Sequence, residues 1–239
     1  MIGGTGRLVN HDPRNRRYEA PRRAARPVSW LHRTDAEAMD QGHTNACTGF
    51  AAAQLLNAAL AHGARRRHND WAQRPHASRY LGHNEAVKLY SLATLSDSFG
   101  WQYPPTDGGS SGLGVGKALK GIGTITSYQW TFDFANALAW AQRQPVLLGT
   151  LWTAPMSEPD EHGVIHVGST ADLRRAESVG MGHEYLWRGC RWDRRLARIR
   201  NSWGPTWGID GDAYIPIDEL EELVMEWRGD VMVPEVGTP

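Results

Sequence analysis

Four side chains could do chemistry together, in the chain order Gln41, Cys47, His183 and Asn201. Cys47 falls at the start of the alanine- and leucine-rich run from Ala46 to His62, the strongest helix signal in the sequence. A helix N-terminus carries about half a positive elementary charge, which favours a thiolate, the nucleophilic form, over a thiol. Position alone proves little, since free cysteine is among the most commonly buried residues. Gln41, in Asp40-Gln41-Gly42, precedes the cysteine by six residues. Its amide can donate to an oxygen that becomes negative when a thiolate attacks a carbonyl, with the Cys47 backbone N–H as a second donor. The same tripeptide also fits a plain surface turn. His183 follows Gly180-Met181-Gly182, small residues that allow a substrate or a facing backbone to come close. It is one of ten histidines, and a histidine opening a strand is often only a core-edge residue. Asn201 lies in Arg200-Asn201-Ser202-Trp203-Gly204-Pro205-Thr206-Trp207-Gly208. An asparagine oxygen can hold the second ring nitrogen of a base histidine without adding charge, and a nearby tryptophan can cover that bond from water. The competing reading is a glycine-rich turn with two packing tryptophans.

The elements that must position these residues change character along the chain. The helix over 46–62 is apolar nearly all round, which predicts a buried central helix, capped by Thr44 or Asn45 and stopped by Gly63. Residues 64–75 read as a loop, Asn84–Leu95 as a second helix, 103–112 as a loop and Val115–Lys120 as a short helix. Strands are expected at 26–31, 124–128, 145–152, 163–167, 183–187, 196–200 and 212–217, with an amphipathic helix at 132–142. Helices first and strands later, without alternation, predict an α+β fold. The expected organisation is a basic N-terminal arm at 1–26, a mainly helical lobe at 27–123 and a strand-rich lobe at 124–239, forming one catalytic domain.

The chain has 239 residues and a formal net charge of zero, so no global charge points to nucleic acid. Residues 1–34 carry eight arginines against Asp12 and Glu19, which makes them +6 and the remainder −6. A basic arm of that kind can bind an anionic surface, or it can lie as a strap on an acidic body. It lacks the aromatic interleaving of a nucleic-acid module. Cys47 and Cys190 cannot make a disulfide framework and sit in different contexts, so they are not expected to pair. There is no apolar leader and no stretch of about 20 apolar residues, which predicts a cytoplasmic protein without a membrane partner. The sequence carries no signal for subunit number.

Asp-Gln-Gly, then Ala-Cys-Thr-Gly-Phe-Ala, a Gly-Gly loop, Gly-His before a strand, and Asn-Ser-Trp-Gly-x-x-Trp-Gly occur in this order. Together they resemble the papain-like cysteine peptidase family over roughly residues 27–222. The likeness is strongest to bacterial and phage members without a long propeptide, in which a stretch like His11-Asp12-Pro13-Arg14-Asn15-Arg16-Arg17-Tyr18 precedes the core. The resemblance implies a papain-like two-lobe fold, with a helical left lobe, an antiparallel β-barrel-like right lobe and the cleft between them. It implies Cys47 as nucleophile, His183 as general base and then acid, Asn201 as its orienting partner, Gln41 as oxyanion donor and Trp203 as a shield. It further implies that Gly108 and Gly109 pair with an extended substrate, and that Ser110, Ser111, Met181 and Gly182 lie near a side-chain pocket. The activity implied is endopeptidase hydrolysis of a peptide or protein substrate, with no metal or organic cofactor. Alternatives are a thiol amidase acting on cell-wall peptides and a catalytically silent binding or virion-associated protein. Thr44 stands where secreted members place a second cysteine, Asn45 replaces a glycine, and Thr48 follows the nucleophile in place of tryptophan. The arm is a candidate plug for the cleft.

Overall fold

A computed structural model describes residues 3–34, 36–60 and 80–235. Helix α1 (Cys47–Leu60) starts where the alanine-rich run begins, and every residue from Cys47 to Ala58 is buried. Its expected stop at Gly63 and the loop at 64–75 lie outside the described residues. The expected caps are engaged elsewhere. Thr44 Oγ1 donates to the Gln41 carbonyl at 2.7 Å, and Asn45 Nδ2 donates to the Asp107 carbonyl at 2.7 Å. Ala46, the residue before the helix, has no side-chain acceptor, so the first N–H groups of α1 are left for other partners. Helix α2 (His83–Ser96) packs closely on α1, because a Cβ at Gly49 would meet the Ala86 carbonyl at 2.4 Å. Helix α3 (Gly112–Gly121) begins earlier than the apolar pattern suggested, since Ser111 caps it by accepting from the Gly114 N–H.

The strand-rich part is one antiparallel sheet in the order β2-β7-β3-β4-β5-β6, with β1 (Trp30–Leu31) paired to the far end of β4. The strands are β2 (Ser127–Thr131), β3 (Val146–Leu151), β4 (Gly182–Arg191), β5 (Leu196–Arg200), β6 (Asp212–Pro216) and β7 (Asp230–Glu235). Leu147, Leu186 and Met232 join the core of α1 to α3, whereas Val146, Leu148, Tyr185 and Trp187 face the opposite core with α4 (Phe134–Ala141). The central strands are thus buried on both faces, which is why β3 reads as a continuous apolar run. Helices and sheet together form the α+β two-lobe fold.

Several boundaries differ from expectation. The strand at 124–128 begins later, because Thr124 folds back to the Leu119 carbonyl and finishes α3. Residues 163–167 make an isolated bridge, Val164 to Tyr214, and not a strand, since the Val164 N–H goes to Asp160 and the Val167 N–H to Glu219. The arm is not wholly extended: Pro13–Tyr18 is a 3-10 helix capped by Asp12. Helices α5 (Thr170–Ser178) and α6 (Ile217–Met225) and strand β7 were not anticipated. The arm lies along the body as a strap, through one buried ion pair, Arg7 with Asp230, and through backbone and amide contacts: the Ala20 N–H donates to the Trp130 carbonyl and the Arg23 N–H to Asn136.

A buried acid ties β4, β5 and β6 together. Asp212 is fully buried and accepts from Arg198 Nε and Arg200 Nε, each at 2.6 Å, with Arg188 Nη1 at 3.5 Å. Arg200 also donates to the Ala36 carbonyl, and the Asn201 N–H to the Gly211 carbonyl, so this cluster sets the position of Asn201. Removing one partner of such a cluster leaves uncompensated buried charge. Asp212→Ala is expected to lower unfolding stability by about 3–5 kcal/mol, read by denaturant unfolding of the full chain.

Candidate active site

His183 is the second residue of β4, and Asn201 follows the last residue of β5. Leu186 pairs with Arg200, so the continued register puts position 201 opposite Tyr185. That is one diagonal step from His183 on the same sheet face, within side-chain reach. His183 Nε2 lies 2.7 Å from Asn201 Oδ1, and both residues are fully buried. The Ser202 backbone N–H also points at Asn201 Oδ1, at 2.7 Å. A backbone N–H can only donate, so that atom is the amide oxygen. The histidine nitrogen facing it must then carry the hydrogen, which leaves Nδ1 of the neutral ring as the bare acceptor. Nδ1 has no hydrogen-bond partner.

Cys47 reaches the same strand. The N–H groups of Glu184, the residue after His183, and of Thr48 point at its sulfur and favour the thiolate. Gln41 is buried and locked: Oε1 accepts from Ser202 Oγ at 2.5 Å, its N–H donates to the Ser202 carbonyl, and Nε2 donates to the Thr44 carbonyl at 2.7 Å. An amide nitrogen has two hydrogens, and a Cβ built on Gly4 would lie 3.1 Å from this one, so the arm packs directly against the amide. Gln41, Asn201 and His183 are therefore joined through Ser202, and Cys47 meets the same strand at Glu184, the residue after His183.

The arm covers this set. The Gly6 and Arg7 N–H groups both approach the Gly182 carbonyl at 3.0 Å, the Ser110 N–H donates to the Gly6 carbonyl at 3.0 Å, and the Leu8 N–H to the Ser110 carbonyl at 2.7 Å. Trp203 Nε1 donates to the Gly4 carbonyl at 3.0 Å. Ser110 and Gly182, expected near a side-chain pocket, thus pair with an extended backbone, the part expected of Gly108 and Gly109. Gly109 does not, because its N–H donates to Tyr90 Oη and its carbonyl accepts from Trp101 Nε1. It supplies close approach instead: at φ +86°, it would place a Cβ 2.3 Å from the Gly6 carbonyl. Gly108 packs on the Trp101 ring, Ser111 caps α3, and the Met181 carbonyl is taken by the Trp152 N–H.

The fold is similar to that of several solved structures. Xylellain, a cysteine protease from Xylella fastidiosa, aligns with TM-score 0.60 and 19% identity over 99% of this chain and 97% of its own. Procathepsin B S9 from Trypanosoma congolense aligns with TM-score 0.57 and 12% identity, over 97% and 87%. The bromelain protease from Ananas comosus, in complex with the E64 inhibitor, aligns with TM-score 0.56 and 15% identity, over 89% and 100%. No family model and no curated protein matches the sequence. The chain has the papain-like cysteine protease fold.

Within this papain-like fold, sequence reasoning named Trp203 beside the histidine but missed Trp152, which completes an aromatic cage. Trp152 stands edge-on to His183 with ring centres 4.8 Å apart, and Trp203 lies 5.3 Å away on a tilted ring. Trp152 also contacts Tyr185, Trp203 and Trp207. Its position in a predicted apolar strand gave no hint of a role beside the histidine. Arg7, Glu184 and Asp230 were missed as well; a glutamate inside a buried strand was the available signal.

Burial by the arm and this cage decides protonation. It lowers the His183 pKa from 6.5 to about 4, opposed by the Asn201 hydrogen bond. It raises the Cys47 pKa from 9.0 to about 12, which overrides the helix-terminus and N–H contributions that favour the thiolate. In the closed chain the pair is thiol and imidazole, not thiolate and imidazolium. Alkylation of Cys47 by iodoacetamide is therefore expected to be slow near neutral pH and to rise about tenfold per pH unit from about pH 7 to about pH 9 without a plateau. A rate already level at pH 7, measured by intact mass, would contradict the closed, neutral pair.

Proposed function

We propose that this protein is a cysteine peptidase whose N-terminal segment holds it closed. The observation that carries the reading is the His183 tautomer: Asn201 Oδ1 and the Ser202 N–H leave Nδ1 bare, one residue before Glu184, whose N–H faces the helix-start sulfur of Cys47. When the arm leaves, water and substrate reach Cys47. The Sγ–H proton passes to His183 Nδ1, and the sulfur attacks the peptide carbonyl carbon to form an S–C bond. The carbonyl oxygen becomes negative and accepts from Gln41 Nε2 and the Cys47 N–H. His183 then returns its proton to the departing amine as the C–N bond breaks. Water, deprotonated by His183, attacks the thioester, and the acid and the Cys47 thiol are regenerated. Asn201 keeps the imidazole in the productive tautomer, and Trp152 and Trp203 exclude water from the His183–Asn201 bond.

The protein substrate, its cleavage site and the amidase alternative are separated by substrate assays with peptides and cell-wall fragments. The catalytically silent alternative draws on one observation, the full burial of Cys47 and His183 under the arm. Arg7→Ala in the full chain removes the anchor of the arm. On this reading it speeds both Cys47 labelling and hydrolysis of a peptide mixture by about tenfold or more, a change of ~1.4 kcal/mol. In that background Cys47→Ser and His183→Ala cost about a thousandfold or more, and Gln41→Ala about a hundredfold or more. Faster labelling with no hydrolysis of any peptide would favour the silent binder.

A further inference from the structure

Three strands meet at a glycine. Gly149 on β3 pairs with Glu184 on β4 and with Asp230 on β7. Residues directly opposite one another project to the same face, so the two carboxylates flank a position without a side chain. Arg7 fills that gap. A Cβ on Gly149 would fall 2.6 Å from Arg7 Nε, 2.7 Å from Asp230 Oδ1 and 2.7 Å from Glu184 Oε2. Arg7 is 1% exposed and Glu184 0%. Arg7 Nη2 donates to Asp230 Oδ2 at 2.5 Å and to the Arg228 carbonyl at 3.1 Å. Both oxygens of Glu184, Asp230 Oδ1 and two nitrogens of Arg7 have no hydrogen-bond partner. Arg7 holds the Asp230 carboxyl ionised beside the second acid, and losing that cation from a buried notch is costly, so a side chain bringing its own positive charge is favoured there when Arg7 leaves. His11 Nε2, 3.4 Å from Asp230 Oδ2, is 42% exposed and lies outside the notch.

The arm also indicates how a visitor would lie. Arg7 is held as one residue of an extended peptide: its N–H meets the Gly182 carbonyl, and its neighbours bond both backbone groups of Ser110. Any peptide strand using those same groups sends one side chain into the notch. The notch adjoins the chemistry, since Glu184 follows His183 and its N–H faces the Cys47 sulfur.

We propose that Glu184, Asp230 and the gap at Gly149 form a subsite for an arginine side chain of the substrate, and that Arg7 occupies it in the closed chain. The inference rests on the peptidase reading for the word substrate, and on the notch itself for the choice of arginine. Arginine is preferred over lysine because a planar fork reaches the Arg228 carbonyl and a carboxylate together, while its Nε stays over Gly149.

The test uses peptidyl-epoxide probes on the full chain carrying Arg7→Ala, each pair differing only in arginine or its neutral isostere citrulline, placed in turn at every probe residue. Labelling of Cys47 is read by intact mass, with iodoacetamide labelling as the control that the thiol is reachable. The expected result is one position at which the arginine probe labels about tenfold or more faster than the citrulline probe, with Asp230→Asn bringing the ratio close to one. Arg7→Met, which fills more of the notch, serves if Arg7→Ala does not fold. Equal rates at every position would overturn the subsite even if peptides are hydrolysed. An arginine preference without hydrolysis of any peptide would keep the subsite and reject the peptidase reading. Labelling by iodoacetamide but by neither peptide probe would reject both.

Discussion

A guanidinium sealed between two strands' carboxylates governs the closed state. Moving a charge into a protein interior costs several kcal/mol even after relaxation. Arg7 tolerates that cost because Asp230 accepts from it directly and raises its pKa against the effect of burial. The benefit is mutual, since Arg7 and His11 hold the Asp230 carboxyl below its ordinary range despite burial. Glu184 goes the other way: burial and the neighbouring Asp230 charge push its pKa well up, against the opposing pull of Arg7. Gly3, Gly4 and Gly6 contribute closeness: a Cβ on Gly4 would meet the Thr44 carbonyl at 2.0 Å, and one on Gly6 the Asn45 carbonyl at 2.3 Å.

The catalytic geometry depends on a different constraint, the register of β4, β5 and β6. The His183–Asn201 bond follows from antiparallel pairing and from Asp212, whose arginine partners lie on β4 and β5. None of these groups touches the arm in the contacts that hold it. The orientation of the imidazole is therefore built into the sheet, whereas its protonation is set by what covers it. Alternation along β4 keeps the two apart: His183 faces the aromatic cage, and Glu184 faces the notch.

Much of the site was legible because its signals are local. Cys47 at a helix start, His183 at a strand start and Asn201 beside two Trp-Gly pairs each announce themselves within a few residues. Gln41 is legible for the same reason, six residues ahead of the helix. The notch was not legible, because it needs the register of three strands, one of which escaped notice. Strand β7 holds an apolar run of only Val231, Met232 and Val233 before Pro234, a residue that normally speaks against a strand. Proline is tolerated there because β3 pairs only with residues 230–232 of β7, so Pro234 has β2 alone as a neighbour. Helix α5 buries just Leu173 and Ala176, too weak a stripe to show periodicity, although Ser169 and Asp172 form a capping box at its start. Arg7 looked like one of the eight arginines in residues 1–34, since nothing in composition separates a buried guanidinium from solvated ones.

Opening and recognition are linked through this one pocket. Withdrawing Arg7 uncovers Gln41 and Trp203 and at the same time strips the cation from beside Asp230. Breaking a buried pair in this way costs on the order of 3–5 kcal/mol, so the open form without a replacement is a minor population. A neutral peptide that enters bears that cost in full. A peptide bringing its own guanidinium recovers most of it, and gains by the same term that keeps the arm in place. Selectivity and closure then have a single physical origin, and any change that weakens the notch loosens both together. Gly149 is the position on which this turns: a side chain there would exclude Arg7 and its replacement alike, while leaving the His183–Asn201 bond on the other face of the sheet untouched.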